Sequence, residues 1–283
     1  MTTSLVLGAV AYDPKVVTIW DGFRTWFRGQ GFAFDYVLYS HYERQVTDLL
    51  TGRIDAAWNS PLAWVRSRRL AEARGEQVRA VAMRDTDCDL TSVVVVRADS
   101  SLTSPTGLSG RTLATGAVDS PQATLLPLEQ LRTAGHLRDV RVLRFDIGTG
   151  LHGDHIGGER AAVEALMAGK ADAACLSDTN LLTFSREGLM PSGAVRVIAQ
   201  TDPYDHCNMT AGPSAHPAAV EAFTRLLLAM DYADAEVRPL LDLEGLKEWR
   251  PGRLQGYTAL ERAVSTSGFY DERGRVTAVD YRP

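Results

Sequence analysis

Hydrophobic and polar positions along the chain follow two periods, one typical of buried strands and one typical of amphipathic helices. Short apolar runs at 4–11, 34–39 and 91–97 predict strands, and helical spacing at 15–28 and 61–74 predicts helices between them. Because predicted strands and helices alternate along the chain, we expect an α/β fold with mostly parallel sheets flanked by helices.

One unit of helix and strand occurs twice in the sequence. In residues 46–60 an apolar helical stripe ends at Gly52 and small apolar residues follow, and residues 163–177 repeat this pattern around Gly169. Each glycine suits a left-handed helix cap, and each small apolar run predicts a buried parallel strand. Two similar lobes are the simplest explanation. Polar residues follow both strands, at the edge where open α/β sheets bind ligands, so we expect a ligand cleft between the lobes.

The lobe boundaries follow from a turn-rich segment after a run of four valines, where we expect the chain to cross into the second lobe. Lobe one is predicted to be discontinuous and to comprise residues 1–90 and 200–283, with lobe two inserted as residues 91–199. Helical patterns near 217–230, 235–247 and 257–266 predict three further helices. We expect all three to pack on lobe one.

The composition is that of a globular protein in water. Of the 283 residues, 45% are hydrophobic and 23% are charged, and the formal net charge of -5 gives no support to nucleic-acid binding. No apolar stretch reaches the roughly 18 residues of a spanning helix, so we expect no membrane insertion. The first residues show no signal sequence, which predicts a cytoplasmic location. Three cysteines without close spacing argue against a disulfide framework and a zinc knuckle.

Several segments together resemble a known family. They are the strand Leu5–Val10 with Tyr12, Asp13 and Pro14 after it, the phrase Gly52–Trp58, the strand Ser92–Arg97, the turn Leu108–Thr112 and the phrase Gly169–Ala173. This arrangement resembles type 2 periplasmic binding proteins, and among them the phosphate/phosphonate and sulfonate solute-binding proteins of ABC transporters. The resemblance implies two lobes around a ligand cleft, a small-molecule ligand and, for exported members, an ABC permease as partner. The same fold also hosts enzymes.

Two serine–proline pairs predict helix starts, one in each lobe. Ser60-Pro61 and Ser120-Pro121 both have the cap followed by proline that begins helices, and such starts favour an anionic group. Asp119 would repel a phosphonate at the second start. Residues at strand and helix ends around the expected cleft are the candidates for ligand binding: Tyr12, Tyr42, Asn59, Ser60, Asp119, Ser120, Gln122, His152, Asp178 and Asn180.

A glycine-rich loop before the second repeated helix carries the most unusual polar cluster. His152, His155 and Glu159 offer imidazole and carboxylate groups, which suit a divalent metal such as zinc, iron, nickel or manganese. The alternative is a polar loop whose histidines bond backbone groups. No glycine-rich dinucleotide or phosphate motif follows a predicted strand, so we expect no nucleotide cofactor.

Two functions therefore stay open. The first is a binding protein that closes on a small polar, anionic molecule. The second is a cytoplasmic lyase, such as a decarboxylase or an eliminase, with or without a metal, in which His155, His206, Glu159 and Asp119 would carry the acid–base chemistry. Cys207, next to His206, is expected to be a small buried side chain rather than a nucleophile.

Overall fold

The computed structural model describes residues 4–283 and divides the chain into two compact units. Unit one comprises the chain up to Cys88, Asp205–Tyr257 and Tyr270–Arg275, and unit two comprises Asp89–Tyr204, Thr258–Phe269 and Val276–Pro283. No helix within residues 4–283 is both long enough and apolar enough to cross a membrane.

Strands account for one part of each unit. Their bounds are β1 Ser4–Val10, β2 Ala33–Tyr39, β3 Ala56–Asn59, β4 Arg79–Arg84, β5 Ser92–Arg97, β6 Thr112–Thr115, β7 Arg141–Arg144, β8 Ala173–Ser177, β9 Val195–Gln200, β10 Asn208–Ala211 and β11 Trp249–Pro251. The apolar runs of the sequence thus correspond to strands, within a residue or two at each end.

Helices connect the strands. Their bounds are α1 Lys15–Gly29, α2 Tyr42–Leu50, α3 Pro61–Glu72, α4 Leu126–Thr133, α5 Gly157–Met167, α6 Asp178–Arg186, α7 Pro217–Leu228, α8 Arg238–Glu244 and α9 Thr258–Ser267. A π-helical turn, Pro121–Leu125, precedes α4.

The two sheets have the same internal plan, which confirms the prediction of similar lobes with mostly parallel sheets. In unit one the strand order is β11-β4-β10-β3-β1-β2, and in unit two it is β7-β6-β8-β5-β9. In each sheet one antiparallel strand, β10 or β5, pairs with the strand of the repeated unit. β5 and β10 are each the first strand after the chain passes from one unit to the other, and β11 of unit one is a further antiparallel strand, paired with β4.

The duplicated phrase forms the same structure in both units. Gly52 and Gly169 follow α2 and α5 with φ angles of 72° and 70°, the left-handed conformation predicted for them. The aspartate three residues later also has one role in both copies. Asp55 Oδ2 accepts a hydrogen bond from the Val6 N–H at 2.8 Å, and Asp172 Oδ2 accepts one from the Thr112 N–H at 2.8 Å. Each carboxylate therefore ties the start of the repeated strand to its parallel neighbour, β1 in unit one and β6 in unit two.

Helix α9 differs from the sequence-based expectation, because it belongs to unit two rather than to lobe one. Its apolar face, formed by Leu260, Ala263 and Val264, is buried, and the helix packs against α4. A helical stripe predicts which face is buried but not the element that covers it. The sequence therefore predicted the helix correctly, but the prediction that it packs on lobe one is wrong.

Aromatic packing dominates the core of unit one. The Phe27 ring stacks on Phe34 at a centroid distance of 4.7 Å and on Phe223 at 5.3 Å. These contacts join α1, β2 and α7, which are far apart in sequence. Trp20 of α1 is 2% exposed and lies in the same cluster, as helical spacing suggested.

Replacing Asp55 or Asp172 with alanine should lower the free energy of unfolding by about 1–3 kcal/mol, because a strand amide loses its acceptor. Asparagine at either position retains a carbonyl oxygen and should lose less. Urea denaturation of the four variants measures these differences. Equal losses for the alanine and asparagine variants would mean that the carboxylate-to-strand bonds do not stabilise the units.

Candidate functional site

The carboxyl edge of the unit one sheet holds several predicted site residues. Strands β1, β2, β3 and β4 all end there, and β10 begins there, with Asn208 paired to Asn59. Tyr12 follows β1, is half-buried and packs against the aromatic core. Tyr42 begins α2 and is 1% exposed, so it lies inside the unit, in contrast to the expected exposure.

Asn59 forms a buried junction and does not face solvent, and its role as a ligand contact stays a prediction. Its Oδ1 accepts from Gln45 Nε2 at 2.9 Å, and its Nδ2 donates to Thr210 Oγ1 at 2.9 Å and to Ser67 Oγ at 3.3 Å. These bonds join β3 to α2, α3 and β10. An amide fully removed from water requires such partners.

Ser60 caps α3, as its position before Pro61 predicted. Its Oγ accepts from the Ala63 N–H at 3.1 Å, and the residue is fully buried. Capping accounts for the serine and proline pair. Its ligand role stays a prediction.

An ion-pair cluster lies where β4 ends. Asp87 is 2% exposed and receives two hydrogen bonds from the Arg84 guanidinium, which also bonds the Glu244 carboxylate at 3.3 Å. Burial alone would raise the pKa of Asp87. The Arg84 charge, together with hydrogen bonds from His206 and Arg84, outweighs burial and lowers that pKa to about 2.

His206 and Cys207 join the same cluster. His206 Nδ1 lies 3.4 Å from Asp87 Oδ1 and 3.1 Å from Cys207 Sγ, and Cys207 is 2% exposed, as expected of a buried thiol. Within residues 4–283, Asp87, His206 and Cys207 are the set whose ligand atoms converge, within 4.8 Å of one another, closely enough to hold a metal. Arg84 already engages both oxygens of Asp87, so a cation would have to displace that guanidinium.

A cavity of about 860 Å³ lies at the opposite end of the unit one sheet. Trp64 and Arg68 of α3, Ala80 at the start of β4 and Gly252 form part of its wall. None of these four residues is among the candidates for ligand binding, catalysis or metal binding that the sequence predicts.

In unit two, the carboxyl edge carries the second predicted helix start. Ser120 Oγ accepts from the Ala123 N–H at 3.1 Å, which confirms it as a cap. The helix then opens with the π-helical turn, in which the Leu125 N–H bonds the Ser120 carbonyl at 3.0 Å. Such turns occur disproportionately at functional sites.

Asp119, next to that cap, is turned into its own unit. Its Oδ2 accepts from the Gly150 N–H at 2.7 Å and the His152 N–H at 3.1 Å, and the residue is 0% exposed. Burial raises the pKa of this carboxyl, against the opposing electrostatic influence of the His152 ring and the backbone donors. Asp119 therefore braces a loop, which corrects the expectation that it would present its charge to an anion.

Gln122, Glu159 and Asn180 form a buried polar network. Glu159 is 2% exposed; its Oε1 accepts from Gln122 Nε2 at 3.2 Å, and its Oε2 accepts from Asn180 Nδ2 at 2.9 Å and from the Ser177 N–H at 2.8 Å. Gln122 Nε2 also donates to the Gly153 carbonyl at 2.7 Å. Burial raises the pKa of Glu159, although these donors oppose the shift. The structure thus brings together three of the predicted residues.

The predicted metal set does not assemble. His152 is buried and its Nε2 lies 3.1 Å from the Tyr281 hydroxyl, whereas His155 is exposed and its Nδ1 accepts from the Gly157 N–H. Both carboxylate oxygens of Glu159 accept hydrogen bonds within the polar network. The structure therefore agrees with the alternative to a metal site, a polar loop whose histidines bond neighbouring groups. Turns of the backbone at the glycines of the loop separate the two imidazole rings.

Asp178 begins α6 and is half-buried. Its Oδ2 accepts from Thr91 Oγ1 at 2.7 Å, and Gln200 Nε2 donates to the same hydroxyl at 2.9 Å. Thr91, Arg84 and Tyr281 were missed by sequence reasoning. Each of them forms a hydrogen bond with a residue more than 80 positions away in the sequence, and no local motif signals such contacts.

Three buried side-chain atoms in the segment Asp119–Thr124 have no hydrogen-bond partner within the described part of the chain: Asp119 Oδ1, Gln122 Oε1 and Thr124 Oγ1. Leaving a buried polar atom unsatisfied costs about 1–3 kcal/mol. The segment from Asp119 to Thr124 thus carries a concentrated and unmet capacity to accept hydrogen bonds.

Replacing Glu159 with glutamine should change how stability depends on pH. Because burial raises the pKa of Glu159 above its ordinary value of 4.5, the folded state retains a proton that the unfolded chain releases. The stability of wild type relative to Glu159→Gln should therefore fall as the pH rises above about 4.5 and level off above the raised pKa. Urea denaturation across this range measures it.

Glu129 offers a control of opposite sign in the same unit. Its hydrogen bond from Arg132 is the main cause of a lowered pKa, so its contribution to stability is lost as the pH falls. The stability of wild type relative to Glu129→Gln should rise with pH. A rising curve for Glu159→Gln as well would contradict the assignment of Glu159.

Comparison with known proteins places the chain in a family. The family described as ABC transporter, phosphonate, periplasmic substrate-binding protein matches residues 9–257. No curated protein matches the chain.

Solved structures share the fold at low sequence identity. PhnD1 from Prochlorococcus marinus (MIT 9301), in complex with methylphosphonate, has a TM-score of 0.69 at 18% identity, covering 94% of this chain and 98% of that one. A Xanthomonas citri protein bound to ATP has a TM-score of 0.70 at 19% identity, covering 93% and 98%. The periplasmic aliphatic sulphonate binding protein SsuA from Escherichia coli has a TM-score of 0.56 at 18% identity, covering 100% and 96%.

These structures agree with the type 2 periplasmic binding protein fold expected from the sequence. The family match extends over most of the chain, from β1 to the residue before α9. The chain belongs to the phosphonate-binding family of periplasmic substrate-binding proteins of ABC transporters.

Proposed function

We propose that this chain binds a small polar molecule carrying both an acidic group and a hydrogen-bond donor, and that the carboxyl edge of unit two supplies the donor's partners. The observation that carries the proposal is the set of unsatisfied acceptors in Asp119–Thr124 beside the Ser120 cap. A ligand donor would offset the cost of burying them.

The helix start favours the acidic group. Backbone N–H groups in the first turn of a helix attract anions, and the Asp119 carboxylate points away into the loop. The repulsion expected from the sequence is therefore reduced by the two backbone donors that hold this side chain. Ser60 in unit one offers a helix start of the same kind.

The donor group has a matching set of acceptors. Gln122 Oε1 has no protein partner within the described residues, and Glu159, at hydrogen-bond distance from Gln122, is a carboxylate. An ammonium or hydroxyl group on the ligand would suit both. This chemistry favours an amine-bearing phosphonate or sulfonate over a simple one.

Family membership supports binding over the lyase alternative. Within unit two, the two candidate acid–base carboxylates, Asp119 and Glu159, are held by backbone and amide donors, and His155 is exposed. We infer that an exported chain has an ABC permease as its protein partner, because members of the family are substrate-binding components of such transporters. The sequence predicts a cytoplasmic location instead, and cell fractionation decides between the two.

Aminomethylphosphonate should bind more tightly than methylphosphonate, by about tenfold, because one charge-assisted hydrogen bond is gained. The two compounds differ only in the amine, and isothermal titration calorimetry gives both dissociation constants. Ethanesulfonate and ATP complete the panel. If none of the four binds, the proposed function is wrong.

Gln122→Ala should remove most of the advantage of the amine compound, because it deletes the unsatisfied acceptor. Gln130→Ala, which shortens a glutamine of α4 outside the network, is the matched control and should retain the advantage. Equal loss in both variants would show that the amine is bound elsewhere.

A further inference from the structure

Residues 276–283, which we term the clasp segment, pack on the loop whose backbone is bonded by Asp119 and Gln122. Tyr281 is 1% exposed; its hydroxyl lies 3.1 Å from His152 Nε2, and its ring packs on Phe269 at a centroid distance of 4.9 Å. Asp280 Oδ2 accepts from Arg144 Nη2 at 3.2 Å. The segment thus contacts the end of β7, just before the loop, and the loop itself near its end, at His152.

The loop itself, residues 146–153, is also hydrogen-bonded to residues 118–122, around the Ser120 helix start. Asp146 Oδ1 accepts from the Val118 N–H at 2.8 Å, and Asp119 Oδ2 accepts from the N–H groups of Gly150 and His152. Gln122 Nε2 donates to the carbonyl of Gly153, the last residue of the loop. Any movement of the loop therefore disturbs Asp119 and Gln122 together.

His152 is held in an unfavourable backbone conformation. Its φ angle of +51° lies in the left-handed region, where a residue with a Cβ is strained. Asparagine and glycine adopt this conformation more readily. The bond to Tyr281 and the backbone bond to Asp119 act on the two sides of this residue and oppose its relaxation.

We propose that Tyr281 is a positioning residue for ligand binding: the clasp segment holds His152, and through it residues 146–153, so that Asp119 and Gln122 keep the geometry of the site. The inference rests on the proposed function, because it assumes that the Asp119–Thr124 segment contacts ligand. Tyr281 itself touches no ligand in this account and acts only through His152.

Amide hydrogen exchange tests the clasp without any ligand. In Tyr281→Phe, which loses the hydroxyl and keeps the ring, the amides of Gly150 and His152 should exchange about fivefold to tenfold faster. Tyr270→Phe is the matched control, because its hydroxyl bonds Glu43 in unit one. It should leave exchange in residues 146–153 unchanged. Unchanged exchange in Tyr281→Phe would overturn the proposal.

A double variant shows whether the effect passes through His152. In His152→Asn, which tolerates the left-handed backbone but loses the imidazole, Tyr281→Phe should add no further acceleration. An additive effect would show that Tyr281 acts by another route and would overturn the proposal.

The third test measures the dissociation constant of aminomethylphosphonate. Tyr281→Phe should weaken it about fivefold to tenfold, while Tyr270→Phe should leave it unchanged. Faster loop exchange with unaltered binding would overturn the positioning role. If wild type binds neither phosphonate, the proposed function fails, and the exchange measurement still decides whether the clasp holds the loop.

Discussion

The buried carboxylate of Asp119 is the interaction on which the unit two site depends. It accepts from two N–H groups of a loop about 30 residues further along the chain and lies beside the Ser120 cap. Burial alone disfavours its charge, so its pKa is raised. By bonding the loop, the same side chain fixes the helix start and removes a negative charge from the edge where an anion would bind.

The duplicated scaffold carries two different edges. In unit one Asn59 is surrounded by three partners and Arg84 forms an ion pair with Asp87, while Gln45 Oε1 is buried without a hydrogen-bond partner among the described residues. In unit two the corresponding edge has a π-helical turn and polar atoms without partners. The order of five corresponding strands in the two sheets therefore does not imply identical chemistry, and the site is defined by the loops and helix starts that the repeat does not share.

Much of the fold could be predicted, because its signals are local. Short runs of apolar residues predicted the strands, Gly52 and Gly169 predicted the helix ends, and serine–proline pairs predicted two helix caps. Contacts between distant segments could not be predicted. Periodicity shows that one face of α9 is buried but not that α4 covers it, and a residue at a strand end such as Asn59 can point into the unit as readily as out of it. The Tyr281–His152 contact has no local signal at all.

Backbone amide chemical shifts during titration with aminomethylphosphonate test the central claim most directly, because they report where the ligand lies. We expect shifts concentrated at residues 119, 120 and 122–124 and at Glu159 and Asn180, with smaller changes in residues 146–153 that bond them. Saturable shifts confined to the cavity walled by Trp64 and Gly252, with residues 119–124 unaffected, would contradict it.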